Sequence, residues 1–165
     1  MFSQTHEYAM RVIAHLASLG GKPATAKEIA VVTRVPASYL SKVLHSLTRS
    51  GLVQSQRGLH GGSVLARPAE DMTLYDVAEA IDPIPRITSC PLGLRSHGSR
   101  LCAVHQKLDE TMELVEKKLK SITVAELLEE PSSSKPLCDI AAGDAPAPIH
   151  RRPGRPVKIR VTRRT

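Results

Sequence analysis

Two cysteines and a histidine stand close together in the stretch CPLGLRSHGSRLCAVH, residues 90–105: Cys90, Cys102 and His105. Thiolates bind iron–sulfur clusters and zinc, and imidazole can replace thiolate at either. Cys102 and His105 are three residues apart at the expected start of a helix, so they project from nearly the same face. Cys90 can return to them through a Pro- and Gly-containing segment, and His97 is the local candidate for a fourth donor. The residues leave three readings open: an iron–sulfur cluster; a zinc site or thiol redox switch; and a connecting loop that holds no metal or takes an organic ligand. The third cysteine, Cys138, falls in a low-complexity stretch and is not expected to be a ligand. An odd number of cysteines without a secretory context argues against a disulfide framework.

The elements that would position these residues can be read from periodicity. EYAMRVIAHLASLG places Tyr8, Ala9, Val12, Ile13, Leu16 and Leu19 at helical spacing and closes on Gly20-Gly21. ATAKEIAVVTRV opens a short second helix, with Thr25 as N-cap and Glu28 completing a capping box. A third helix starts at Pro36, buries Leu40, Val43, Leu44 and Leu47, and stops at Gly51. LVQSQRGLHGGSVLARP predicts a hairpin that turns through Gly58, Gly61 and Gly62. TLYDVAEAID predicts a short helix capped by Thr73. After the cysteine segment, Leu101, Val104, Leu108, Met112, Val115, Leu119 and Ile122 form an a/d seam, flanked by charges as in a helix that pairs with a second copy of itself. TVAELLEE adds a last short helix before Pro131.

Helix, capped helix, short turn, helix and glycine-rich hairpin is the order of a winged helix-turn-helix. The fold class expected is therefore mainly α: a winged helix-turn-helix DNA-binding domain with a small β wing, plus a long C-terminal dimerisation helix. Four regions follow: 1–83 as the DNA-binding domain, 84–100 as a cysteine-containing sensor loop, 101–130 as the dimerisation helix with a short terminal helix, and 131–165 as a disordered basic tail. The formal charge of +7 is unevenly spread. Residues 1–68 hold eight Lys/Arg against two Asp/Glu, residues 69–130 seven against twelve, and residues 131–165 eight against two. Basic ends around an acidic middle point to a polyanion, double-stranded DNA first. With three Tyr, one Phe and no Trp, the chain lacks the aromatic platforms on which single strands and RNA stack. On the third helix, the exposed positions Ser38, Tyr39, Ser41 and Lys42, with His45 further along, can meet base edges or phosphates. On the wing, Arg57 and His60 are the candidates, an arginine on a slender loop being what a narrow minor groove attracts.

SYLSKVLHSLTRSGLVQSQRGLHGGSVLARPAEDMTLYDVAEAID, followed by a cysteine loop and a long helix, resembles the bacterial winged-helix regulators that include the iron–sulfur-sensing IscR and the nitric-oxide-sensing NsrR. The resemblance runs from residue 1 to about 130, with SYL, RGxxGG and TLYDVAEAID its more specific pieces. It implies a homodimeric transcription factor, crossed by its long helices, on a dyad-symmetric operator. It also implies that Ser38, Ser41 and Arg57 face DNA, although Ser41 stands where some members carry an acidic base-reading residue. Cluster-binding members show three cysteines about five residues apart, in one branch with a His three residues past the last. Here Cys90, Cys102 and His105 keep the span and the His, while Ser96 replaces the middle cysteine. Glu7 aligns with an acidic position that completes the cluster in some members, often from the partner subunit. The resemblance thus implies a 2Fe-2S cluster on Cys90, Cys102, His105 and Glu7, with zinc the alternative.

The last residues, RRPGRPVKIRVTRR, hold seven of the tail's eight basic residues around a Gly154-Arg155-Pro156 core. That core resembles an AT-hook, and non-specific phosphate contacts are the plainer expectation. No GxSxG, GxxxxGK or HExxH is present, so an enzyme is not expected, and a winged-fold adaptor that binds protein partners is the remaining alternative. No apolar run approaches the ~20 residues a membrane span needs, and Arg11 and His15 interrupt the N-terminal pattern a leader would require. A soluble, cytoplasmic protein without membrane contact is expected.

Overall fold

The computed structural model describes residues 3–58, 61–91, 93 and 101–129. Helices α1 (Gln4–Ser18), α2 (Ala26–Thr33) and α3 (Ala37–Arg49) come first, then strands β1 (Val53–Gln56) and β2 (Gly62–Leu65). A 3-10 turn (Ala69–Asp71) precedes α4 (Leu74–Glu79), α5 (Ala103–Lys120) and α6 (Val124–Glu129). The architecture is the expected one, mostly helical with a two-stranded antiparallel wing.

The caps fall where side-chain chemistry puts them. Thr25 accepts the Glu28 amide at 3.3 Å while Glu28 accepts the Thr25 amide at 2.7 Å, and Thr73 and Asp76 repeat the exchange at α4. Arg34 closes α2 in the left-handed region (φ 53°), and Pro36 follows as the N-cap of α3. That pair makes the tight corner between the two helices of the helix-turn-helix. Val12, Ile13 and Leu16 of α1, Ile29 of α2, and Leu40, Val43 and Leu47 of α3 meet Val53, Met72, Val77 and Val124 in one core.

Two backbone links give this core its outline. Ala24 and Ser63 bond each other in both directions, at 3.0 and 2.8 Å, and pin β2 to the segment before α2. Thr73 bridges Thr123, and Val124 donates to the Met72 carbonyl at 2.8 Å, so the chain after α5 returns to the winged domain. Neither link was expected from the sequence.

The expected α5 seam is unevenly covered. Val104 and Leu108 are exposed, by 67% and 48%, whereas Leu101, Met112, Val115, Leu119 and Ile122 are half-buried. Met112 and Val115 line an apolar cavity of about 120 Å³ together with His6, Ala78 and Ile84 of their own chain. Leu114, outside the seam, is 67% exposed. The seam is one stripe whose surroundings change along the helix. Its second half, with Met112 and Val115, packs on α4 and residues 82–87, while Val104 and Leu108 in the first half are left open. Leu114 stands open to one side of that stripe. Residues 131–165, and with them the expected disorder of the tail, Cys138 and the Gly154-Arg155-Pro156 motif, lie outside the described residues.

Candidate DNA interface and cysteine segment

α3 is amphipathic because its apolar residues recur every three or four positions. Leu40, Val43 and Leu47 are buried, which turns Ser38, Tyr39, Ser41, Lys42 and His45 outward. Ser41 donates to the Ala37 carbonyl of its own helix at 3.4 Å, a long bond that another acceptor can displace. Tyr39 is 47% exposed and packs edge-on against Tyr8 of α1, ring centroids 5.8 Å apart at 67°. Its ring thus ties the start of α3 to α1 while part of it faces outward. Arg11 lies 6.0 Å from the Tyr8 ring centre and donates to the Thr33 carbonyl at 3.3 Å.

On the wing, Arg57 follows β1 directly and is exposed. The turn is closed by the Gly61 amide donating to the Gly58 carbonyl at 2.9 Å, with Gly58 at φ 120°, which only glycine adopts without strain. His60 lies outside the described residues. The two acidic residues of this region have partners of their own: Glu7 pairs with Arg11, and Glu28 serves as the α2 cap. Hydrogen bonds from the Thr25 amide and hydroxyl hold the Glu28 carboxyl below its usual range.

In the cysteine segment, Cys90 and Cys102 are half-buried thiols. Cys102 is the N-cap of α5, and its Sγ lies 3.4 Å from His105 Nδ1, so the three-residue spacing does bring these two together. Cys90 sits at a turn where the Gly93 amide donates to its carbonyl at 3.0 Å. His97 and Ser96 lie outside the described residues. Among the described residues no group of three or more His, Cys, Asp or Glu is placed to hold a metal ion, and Glu7 is engaged with Arg11 on α1.

Sequence reasoning missed Arg86. Its Nε and Nη2 donate to the two carboxylate oxygens of Asp109 at 2.8 and 2.9 Å, and the Ile87 amide adds a third bond at 2.8 Å. Glu116 and Glu113 lie 3.3 and 3.5 Å from the same guanidinium. These donors hold the Asp109 carboxyl down at about 2, and the carboxylates hold the Arg86 guanidinium above its usual value. Nothing in residues 83–88 announced the pairing, because a lone Arg between prolines and apolar residues has no periodic signature.

A helix-turn-helix with an outward polar recognition helix, a basic wing and a long helix behind it defines a winged-helix DNA-binding transcription regulator. The family model described as Rrf2, iron-dependent transcriptional regulator, matches residues 2–130, and the chain belongs to that family. It is 30% identical over 131 residues to a protein of Aquifex aeolicus (strain VF5) assigned as an HTH-type transcriptional regulator, covering 78% of this chain and 91% of the relative. The T. potens IscR structure is similar at TM-score 0.65 and 25% identity, over 78% of this chain and 86% of that one. CymR, the global cysteine regulator of B. subtilis, gives TM-score 0.65 at 23% identity over 80% and 98%. The family and these relatives are transcriptional regulators, not enzymes. Among the described residues no helix is long and apolar enough to cross a membrane.

Proposed function

We propose that the chain acts as a homodimer on a dyad-symmetric operator, joined through the open face of α5. The observation that carries the reading is the exposed, acid-free face of α3 beside Arg57 of the wing. Ser38, Ser41 and Lys42 then enter the major groove, Tyr39 lies at its edge, and Arg57 and His60 reach the neighbouring minor groove. Val104 and Leu108, one turn apart on α5, with Leu114 to one side of them, supply the apolar surface that a second α5 covers. The segment 131–165, with its net +6, strengthens phosphate contacts without adding sequence preference.

The signal enters at Cys90, Cys102 and His105. Their position at the start of the dimer helix supports this, and so does the iron-dependent description of the family. A 2Fe-2S cluster would take these three as ligands, with Glu7, once released from Arg11, as the fourth. Zinc would take the same three donors with water or Glu7 as its fourth ligand, and reversible thiol oxidation needs only Cys90 and Cys102.

Selection of bound duplexes from a random library tests the DNA reading. A two-fold sequence with half-sites about 34 Å apart is expected, and absence of any sequence preference at low salt overturns it. Iron, sulfide and zinc analysis of anaerobically purified protein tests the second part. Cys90→Ala, Cys102→Ala and His105→Ala should each change operator affinity, and affinity indifferent to all three removes the signal site.

A further inference from the structure

The chain leaves α4 through a strap, residues 82–87, and this strap is fastened to α5 before the cysteine segment begins. The fastening is the four-carboxylate-oxygen grip of Arg86: both oxygens of Asp109, then Glu113 and Glu116. The three acids stand at i, i+4 and i+7, one stripe of α5. Asp109 is also bonded by the Ile87 amide at 2.8 Å, so backbone and side chain grip the same carboxylate. Exposed ion pairs add little to stability. What a bidentate guanidinium–carboxylate pair adds is geometry, because it fixes distance and angle together.

That geometry bears on the thiols. Asp109 lies seven residues beyond Cys102, about 10 Å along the helix at 1.5 Å per residue. Cys90 lies three residues past Ile87, so its Cα stays within about 11 Å of the clasp. The clasp therefore holds the start of the cysteine segment over the first two turns of α5, where Cys102 and His105 already touch. We propose that Arg86, acting with Asp109, is the positioning residue that keeps Cys90 within reach of Cys102 and His105. The inference rests on the reading that these three residues form one site, and it adds what assembles them. Without the clasp, Cys90 reaches Cys102 only by closing the connection through residues 91–101, and the local concentration of its thiol at Cys102 falls to what that loop closure alone gives.

The test measures that concentration directly and needs no metal. Full-length protein carrying Cys138→Ser is equilibrated with glutathione buffers. Two protein thiols and one oxidised glutathione give one Cys90–Cys102 disulfide and two reduced glutathiones. Arg86→Ala and Asp109→Asn should each lower the effective concentration of the pair on the order of tenfold. Arg86→Lys, which keeps the charge but not the fork, should fall between parent and Arg86→Ala. The double variant should lose less than the two single effects combined, since Arg86 and Asp109 share one bidentate contact. The Ile87 amide on Asp109, and Glu113 and Glu116 on Arg86, each survive one of the single changes. Thermal unfolding of all four should stay near that of the parent, which separates positioning from a loss of fold. Parental effective concentration in Arg86→Ala, additive effects in the double variant, or a parent that closes no intramolecular disulfide overturns the proposal. If Arg86→Ala lowers the concentration while Cys90→Ala and Cys102→Ala leave operator affinity untouched, the clasp stands and the signal site fails. The opposite pattern sinks the clasp alone.

Discussion

Gly62→Ala is the substitution whose cost the structure defines most sharply. Gly62 has no left-handed φ, so alanine fits its backbone, and on that ground alone the change would stabilise by about 0.4–1 kcal/mol. The space decides otherwise. A Cβ at Gly62 would lie 2.5 Å from the Ala24 carbonyl oxygen and 2.6 Å from its carbon, both backbone atoms. Ordinary contact begins at 3.4 Å, so the two segments must part by nearly 1 Å. The reciprocal bonds between Ala24 and Ser63, at 3.0 and 2.8 Å, would then be stretched out of hydrogen-bonding range. Both residues are buried, and an unpaired buried polar group costs roughly 1–3 kcal/mol, so a net loss of about 2–4 kcal/mol is expected.

Urea unfolding should show this as a lower midpoint at unchanged slope. Operator affinity of the folded fraction should also fall, because the Ala24–Ser63 bridge aims the wing and Arg57 with it. Gly51→Ala is the control. It has open space and φ +70°, so it should cost only about 1–2 kcal/mol of stability and leave DNA affinity alone. A Gly62→Ala protein as stable as the parent, with parental affinity, would refute the reasoning.

Arg57→Ala should weaken operator binding by about 1–3 kcal/mol and flatten the salt dependence by roughly one unit, read by anisotropy titration across salt concentrations; parental affinity throughout removes the wing from the interface. Leu108→Lys with Leu114→Lys should give monomers in sedimentation with little loss of fold, since both side chains are exposed, whereas Val115→Lys should destabilise the protomer because it lines the cavity against α4. Burial lowers the pKa of His15 from its usual 6.5 against the opposing pull of Glu28. The unfolded chain therefore takes up a proton at a higher pH than the folded one, and stability present above pH 6.5 is lost as pH falls through the folded value. In His15→Leu that part of the pH–stability curve, measured by urea midpoints from pH 8 to 5, should flatten.

The winged domain was legible because its signals are local. Thr25 with Glu28, Thr73 with its helix, and Pro36 before an amphipathic run each specify structure within four residues. The face of α3 followed from Leu40, Val43 and Leu47 alone. What escaped was non-local. The Ala24–Ser63 and Thr73–Thr123 bridges join backbone groups whose side chains say nothing of their partners. Arg86 finds Asp109 across 23 residues by charge and reach, without a repeat to betray it. The α5 pattern misled in a different way. Periodicity shows that a helix has an apolar face but not what covers it, and here Met112 and Val115 serve their own domain while Leu114 does not.

The placement of these links bears on how a change at the cysteines would reach DNA. α5 is tied to the winged domain at both ends. Its start is held by the Arg86 clasp on the strap, and its end returns through Ile122, which accepts the Leu74 amide at 2.9 Å, and Val124, buried in the core. α1 crosses that core, and Tyr8 on α1 meets Tyr39 at the start of α3. Close-packed cores resist small continuous deformation, so a change at Cys102 or His105 has little means of reshaping α3. The strap is different, since it is held by ion pairs at the surface, the Ile87 amide and the half-buried Ile84, with no fully buried residue of its own. In the proposed dimer, a signal at the cysteines would therefore act by altering how each winged domain sits on its α5, moving the two recognition helices as rigid bodies. A two-fold operator reads that separation, and a coupling of about 1–3 kcal/mol between the two sites suffices for regulation.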